Sequence, residues 1–319
     1  MKKLLFLSLI LAACVRLSAQ QEHHYTQFMY NKLMYNPAYS GTRGVPSVTG
    51  IYRNQWIGFD GAPASALMSF NSPFLTPRVG VGVVFSGLKI GLQRDFYGSL
   101  AYSYELLKTE MVSVRAGIQG SIRSVSFAFN EANPINIGDP SLDNQRVNSV
   151  RGNVGAGVYG TFMGKYYVGF SIPRIYKNTL GFSNDQANLV AKESPHFYAV
   201  TGGIVPLSED INLMPAVLVK YVEHAPIDAD VNVNIDIRKI VTAGLSYRVG
   251  GNGAGESVSL LAMWQATPQI GVGAAYDFTL SSIKDYNAGS VEILLQADLK
   301  KPKNGGGKKK DVFHPRFFM

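Results

Sequence analysis

The sequence predicts a transmembrane antiparallel up-and-down β-barrel of about fourteen strands, an even number with both termini on the periplasmic side. Three observations carry that expectation. The chain opens with an export signal, it is poor in charge and rich in glycine and aromatics, and its body alternates apolar and polar residues segment after segment.

The export signal comes first. Lys2 and Lys3 precede an apolar run from Leu4 to Ala13, and small residues Ser18 and Ala19 follow. That order marks a secretory signal peptide over residues 1–19. The run is shorter than the roughly 20 residues a helix needs to cross a bilayer. Leu11-Ala12-Ala13-Cys14 also fits a lipobox, in which cleavage would fall before Cys14. Cys14 is the only cysteine, so cleavage after Ala19 leaves a chain without disulfides or thiol chemistry.

Composition narrows the class. Charged residues are 16% of the chain, well under the usual quarter. The chain has 33 Gly, 17 Tyr and 17 Phe, and no apolar run beyond the signal is long enough for a membrane helix. The net charge of +8 invites a nucleic-acid reading. Its location argues against one. Lys2, Lys3 and Arg16 supply three charges and residues 300–319 a net six, which leaves residues 17–299 at −1. A nucleic-acid-binding fold would carry its basic patch on the folded body.

Alternation decides the fold. From Met111 to Arg123, Met111, Ser113, Arg115, Gly117, Gln119, Ser121 and Arg123 alternate with Val112, Val114, Ala116, Ile118, Gly120 and Ile122. Asp230 to Arg238 and Val291 to Leu299 repeat the pattern. A strand places one such set in lipid and the other in a polar lumen. Strands are expected near 47–59, 63–71, 78–87, 92–105, 110–124, 152–163, 165–173, 195–206, 210–221, 230–238, 240–249, 255–264, 268–278 and 289–299. Gly164-Lys165 and Arg238-Lys239 read as short periplasmic turns. Residues 127–151 and 176–194 read as long surface loops. Trp56, Tyr102, Tyr104, Tyr166, Tyr221, Trp264 and Tyr276 fall near strand ends, as interfacial girdles would.

Residues 20–46 form a periplasmic segment before the barrel of residues 47–299, and its Tyr25, Phe28, Tyr30 and Tyr35 suit a plug in or under the lumen. Residues 300–319 begin as a Lys- and Gly-rich linker and end Phe313-His314-Pro315-Arg316-Phe317-Phe318-Met319, a candidate periplasmic docking peptide.

Enzymatic motifs are weak. Gly155-Ala156-Gly157-Val158-Tyr159-Gly160 fits a nucleotide-binding spacing, but it sits inside a strand rather than before a helix. Adjacent His23 and His24 share no face for a metal, and no nucleophile elbow is present. The expectation is no enzyme, no cofactor and no metal. Arg53, Arg115, Arg123, Lys220 and Glu256 are candidate lumen charges. They would form either a path through the barrel or a salt-bridge network that fills it.

Several blocks resemble one family. Asn36-Pro37-Ala38-Tyr39-Ser40-Gly41 follows the signal. Tyr52-Arg53-Asn54-Gln55-Trp56-Ile57-Gly58-Phe59 continues to Gly61-Ala62-Pro63. Pro195-His196-Phe197-Tyr198, Pro215, Lys220-Tyr221 and Gly244-Leu245-Ser246-Tyr247-Arg248 come next, and the tail closes with Pro315, Arg316, Phe317 and Phe318. Together they resemble the PorP/SprF family of type IX secretion-associated outer-membrane proteins of Bacteroidetes, across the whole mature chain and in the family's order. The resemblance implies a barrel that binds, and anchors or helps secrete, a surface adhesin through that adhesin's C-terminal secretion domain. It also implies periplasmic secretion or gliding partners, some associated with peptidoglycan, and it favours cleavage after Ala19. The barrel without the resemblance reads equally as a porin or hydrophobic-solute transporter.

Overall fold

The structure, a computed structural model, describes residues 24–128, 146–184, 187–223, 225–250 and 256–299. The expected signal peptide with Cys14 and the tail with Phe313–Met319 lie outside the described residues.

Alternating residues fold as alternating residues must. The strands are β1 (Ser47–Asn54), β2 (Ala64–Phe74), β3 (Thr76–Ile90), β4 (Gln93–Lys108), β5 (Val112–Ala128), β6 (Arg146–Phe162), β7 (Tyr166–Ile172), a side hairpin of β8 (Thr179–Asn184) and β9 (Ala187–Lys192), β10 (His196–Gly203), the two-residue β11 (Val205–Pro206), β12 (Ile211–Val222), β13 (Asp228–Ile237), β14 (Val241–Val249), β15 (Ser257–Gln265), β16 (Ile270–Thr279) and β17 (Ser290–Asp298). Each barrel strand pairs antiparallel with its neighbours. β1 pairs with β17 and β10 pairs with both β7 and β12, so fourteen strands close into a ring. Closure removes the free edges that an open sheet would expose to lipid.

The two ends differ. One end carries the start of β1 and the end of β17, and its connections are short: residue 75, then 109–111, 163–165, 204–210, 238–240 and 266–269. At 163–164 and 238–239 consecutive residues have positive φ, the hairpin geometry that matches strand twist. We call this the turn end. The opposite loop end carries 55–63, 129–145, 173–195, 223–227, 250–256 and 280–289, with 91–92 its one short connection.

Three expectations needed correction. β1 stops at Asn54 rather than residue 59, because Trp56 adopts φ 50° and turns the chain. The loop at 127–151 is shorter than expected: β5 runs to Ala128 and β6 begins at Arg146. The loop at 176–194 is not wholly irregular, since it contains the β8–β9 hairpin.

The outward face is apolar. Leu100, Ile118, Ile122, Leu245 and Leu295 are all more than half exposed in the isolated chain. Tyr104, Tyr166 and Trp264 lie on that face toward the turn end, and Tyr221 and Tyr276 toward the loop end. Ile118 sits mid-strand between Tyr102 and Ala156. Ile118→Arg should cost about 2–4 kcal/mol of barrel stability, read as a lower urea midpoint for folding into lipid vesicles.

Candidate functional site

The lumen is occupied by the chain that precedes β1. Residues 24–43 run inside the barrel through three short 3-10 turns, Phe28–Tyr30, Lys32–Met34 and Pro37–Tyr39. Tyr25, Phe28, Met29, Leu33, Tyr35 and Tyr39 are buried and form the core with wall residues such as Tyr159, Tyr167, Tyr198 and Leu294.

The Asn36–Gly41 block explains the seat of this plug residue by residue. Asn36 caps the third turn, its Oδ1 accepting from Ala38 N at 2.9 Å. Its Nδ2 donates to the Val158 carbonyl on the wall at 2.9 Å. Pro37 opens the turn, where its missing N–H costs nothing. Tyr39 packs edge-on against Tyr159, ring centroids 5.5 Å apart. The Ser40 carbonyl accepts from Ser103 Oγ at 2.7 Å. Gly41 holds φ +75° and donates to Asn71 Oδ1 at 2.5 Å.

The wall opposite is glycine because the plug lies directly against it. A Cβ at Gly80 would meet Ser40, one at Gly117 would meet Ala38, and one at Gly157 would meet Asn36, all closer than the 3.0 Å that Cβ atoms tolerate. Lys32 is buried between the rings of Tyr167 (4.5 Å) and Tyr39 (5.2 Å), its Nζ donating to the Met29 carbonyl at 2.8 Å.

At the loop end a ring of charges clamps the start of the plug. Glu292 accepts from Thr26 N at 2.8 Å and Gln27 N at 2.9 Å. Arg53 bonds Thr26 Oγ1 at 3.0 Å and pairs with Asp277 at 2.5 Å and Glu292 at 3.2 Å. Asp230 receives Arg248 at 2.5 Å and Lys220 at 3.2 Å. Lys220 Nζ lies 2.6 Å from His24 Nδ1.

The other half of this mouth is filled by the chain between β7 and β10. The Pro173 carbonyl accepts from Gln119 Nε2 at 3.0 Å, and a Cβ at Gly155 would strike it. Glu193 pairs with Arg174 at 3.1 Å and Arg123 at 3.2 Å, and Arg123 also pairs with Asp95. At the turn end Arg43 pairs with Asp298 at 2.8 Å.

The family model for the type IX secretion system membrane protein PorP/SprF matches residues 17–297. The chain belongs to the PorP/SprF family. It is therefore a type IX secretion-associated β-barrel of the outer membrane. A comparison with curated proteins finds no match. Solved structures that resemble it include the Acinetobacter baumannii outer membrane protein Omp33, at 8% identity and TM-score 0.47, covering 80% of this chain and 97% of that one. A Pseudomonas aeruginosa FadL homologue matches at 13% identity and TM-score 0.46, covering 86% and 94%. The CymD monoaromatic hydrocarbon channel matches at 14% identity and TM-score 0.49, covering 85% and 91%.

In this PorP/SprF barrel the family-like residues serve several tasks. Asn36, Pro37, Tyr39 and Gly41 seat the plug; Arg53, Lys220 and Arg248 build the mouth ring; Tyr198 packs on plug residue Tyr35 at 5.4 Å. Gln55 N bonds the Pro63 carbonyl, Trp56 N bonds Ser290 Oγ, and the Gly61 carbonyl accepts from Gly91, which together shape the first loop. Gly244 leaves room for the Asn234 side chain. Phe197, Tyr221 and Tyr247 face outward, the first two 6.0 Å apart. Pro215 lies within β12 and Pro195 just before β10.

Of the candidate lumen charges, Arg53, Arg115, Arg123 and Lys220 are paired on the wall. Glu256 instead lies in the connection ahead of β15. The sequence reading missed the carboxylates Asp95, Glu193, Asp277 and Glu292. Their inward parity was the available signal for Asp277 and Glu292. Among the described residues no group of His, Cys, Asp or Glu could hold a metal.

Proposed function

We propose that this barrel is a closed outer-membrane holder for a secreted surface adhesin, which it binds through the adhesin's C-terminal secretion domain, with no catalysis. The observation that supports this is the plug. A diffusion pore needs an open lumen, whereas residues 24–43 lie along the lumen and interlock with glycines of the wall. Membership in a type IX secretion family is consistent with a secreted partner of this kind. In this reading the loop end faces the cell exterior and offers the adhesin its surface. The turn end faces periplasmic type IX components, some associated with peptidoglycan.

Co-purification tests it. The tagged barrel, extracted from cells that make the adhesin, should carry the adhesin with it. A clean preparation from such cells contradicts the proposal. A giant secreted protein encoded beside this gene would support it cheaply.

The tail belongs to the same reading, with Phe313–Met319 docking on a periplasmic partner. Deleting Lys308–Met319 should leave barrel folding intact and reduce surface display of the adhesin. Unchanged display would remove the docking role.

A further inference from the structure

The plug's contacts order themselves along the barrel axis. β17 serves as a ruler, descending from Ser290 at the loop end to Asp298 at the turn end. Thr26 and Gln27 bond Glu292, the Tyr30 carbonyl accepts from Gln296 at 3.2 Å, and Arg43 pairs with Asp298. Between Glu292 and Asp298 a strand advances about 20 Å at roughly 3.3 Å per residue.

The other walls agree. His24 meets Lys220, two residues before β12 ends at the loop end. Arg53, another partner of Thr26, is one residue from the loop end of β1. Further along the plug, Ser40 and Gly41 meet Gly80, near the start of β3 at the turn end. Leu299 N then bonds the Pro46 carbonyl at 2.8 Å, so the plug's exit and the end of β17 share the turn end.

We infer that the plug threads the barrel from mouth to mouth, its polarity running from His24 at the loop end to Arg43 at the turn end. The two ends of the described chain, His24 and Leu299, therefore lie at opposite mouths of the barrel, an arrangement that favours termini on opposite sides of the membrane over two periplasmic termini. The inference does not depend on what the barrel binds.

Three versions of the full-length protein test it, each with one inserted protease site: between Glu22 and His23, between Gly138 and Asp139 in the long loop, or between Gly306 and Gly307 in the tail. Protease is added to intact cells and then to permeabilised cells, and loss of the full-length band is read. The amino-terminal and loop sites should be cut under the same condition, and the tail site under the other. An amino-terminal site cut together with the tail site overturns the inference. So does one that stays intact while both other sites are cut. If that insertion blocks assembly, the same site between Gln21 and Glu22 gives the measurement.

Discussion

Glu292→Ala should destabilise the barrel by about 3–5 kcal/mol, because it breaks a buried charge cluster and leaves the opposing groups in place. Glu292 is fully buried and accepts from two plug N–H groups as well as from Arg53. Alanine would strand both N–H groups and leave Arg53 with Asp277 alone as its carboxylate partner. Glu292→Gln retains an acceptor oxygen while losing the charge, so it should fall between alanine and the wild type. Urea midpoints for the three proteins in lipid check the order. An alanine variant as stable as wild type would mean that the mouth ring does not hold the plug.

The second large effect concerns the seat. Gly117→Val places methyl groups where the Pro37 and Ala38 backbone lies. Overpacking of this kind costs about 1–3 kcal/mol, and more where backbone must move. The turn Pro37–Tyr39 can yield while the hydrogen-bonded wall cannot, so the plug should lift. Added protease should then cut within residues 24–46 while the strands stay protected. Gly120→Val is the control. It lies on the same strand facing outward, with nothing within 4 Å of an added Cβ, and should behave as wild type. Equal protease resistance in the two variants would show that the glycine seat does not set the plug's position.

The strands were legible in the sequence because a closed barrel imposes one rule on every residue, lipid or lumen, and that rule has period two. The fourteen segments could therefore be located before any pairing was known. Boundaries failed where one backbone angle decided them, as at Trp56, or where polar strand ends passed for loop, as at Arg146. The plug's aromatics could be read as burial-seeking. The seat could not, since Gly80 and Gly117 look like ordinary strand glycines until Ser40 and Ala38 are brought against them from far along the chain. The mouth ring was half legible. Arg53 stood out as a charge on a lumen face, but its carboxylates lie more than two hundred residues away and only closure of β1 on β17 brings Glu292 beside it. Glu193 was hidden for a different reason: it lies outside the strands, in a connection that turns back into the lumen.

The central claim is that the plug shuts the barrel. Single-channel conductance of the purified full-length protein in a planar lipid bilayer tests it most directly. The account predicts no steady open channel for the wild-type protein under conditions where the variant lacking residues 24–43 conducts. Steady ohmic channels from the wild-type protein would contradict it and make the barrel a pore.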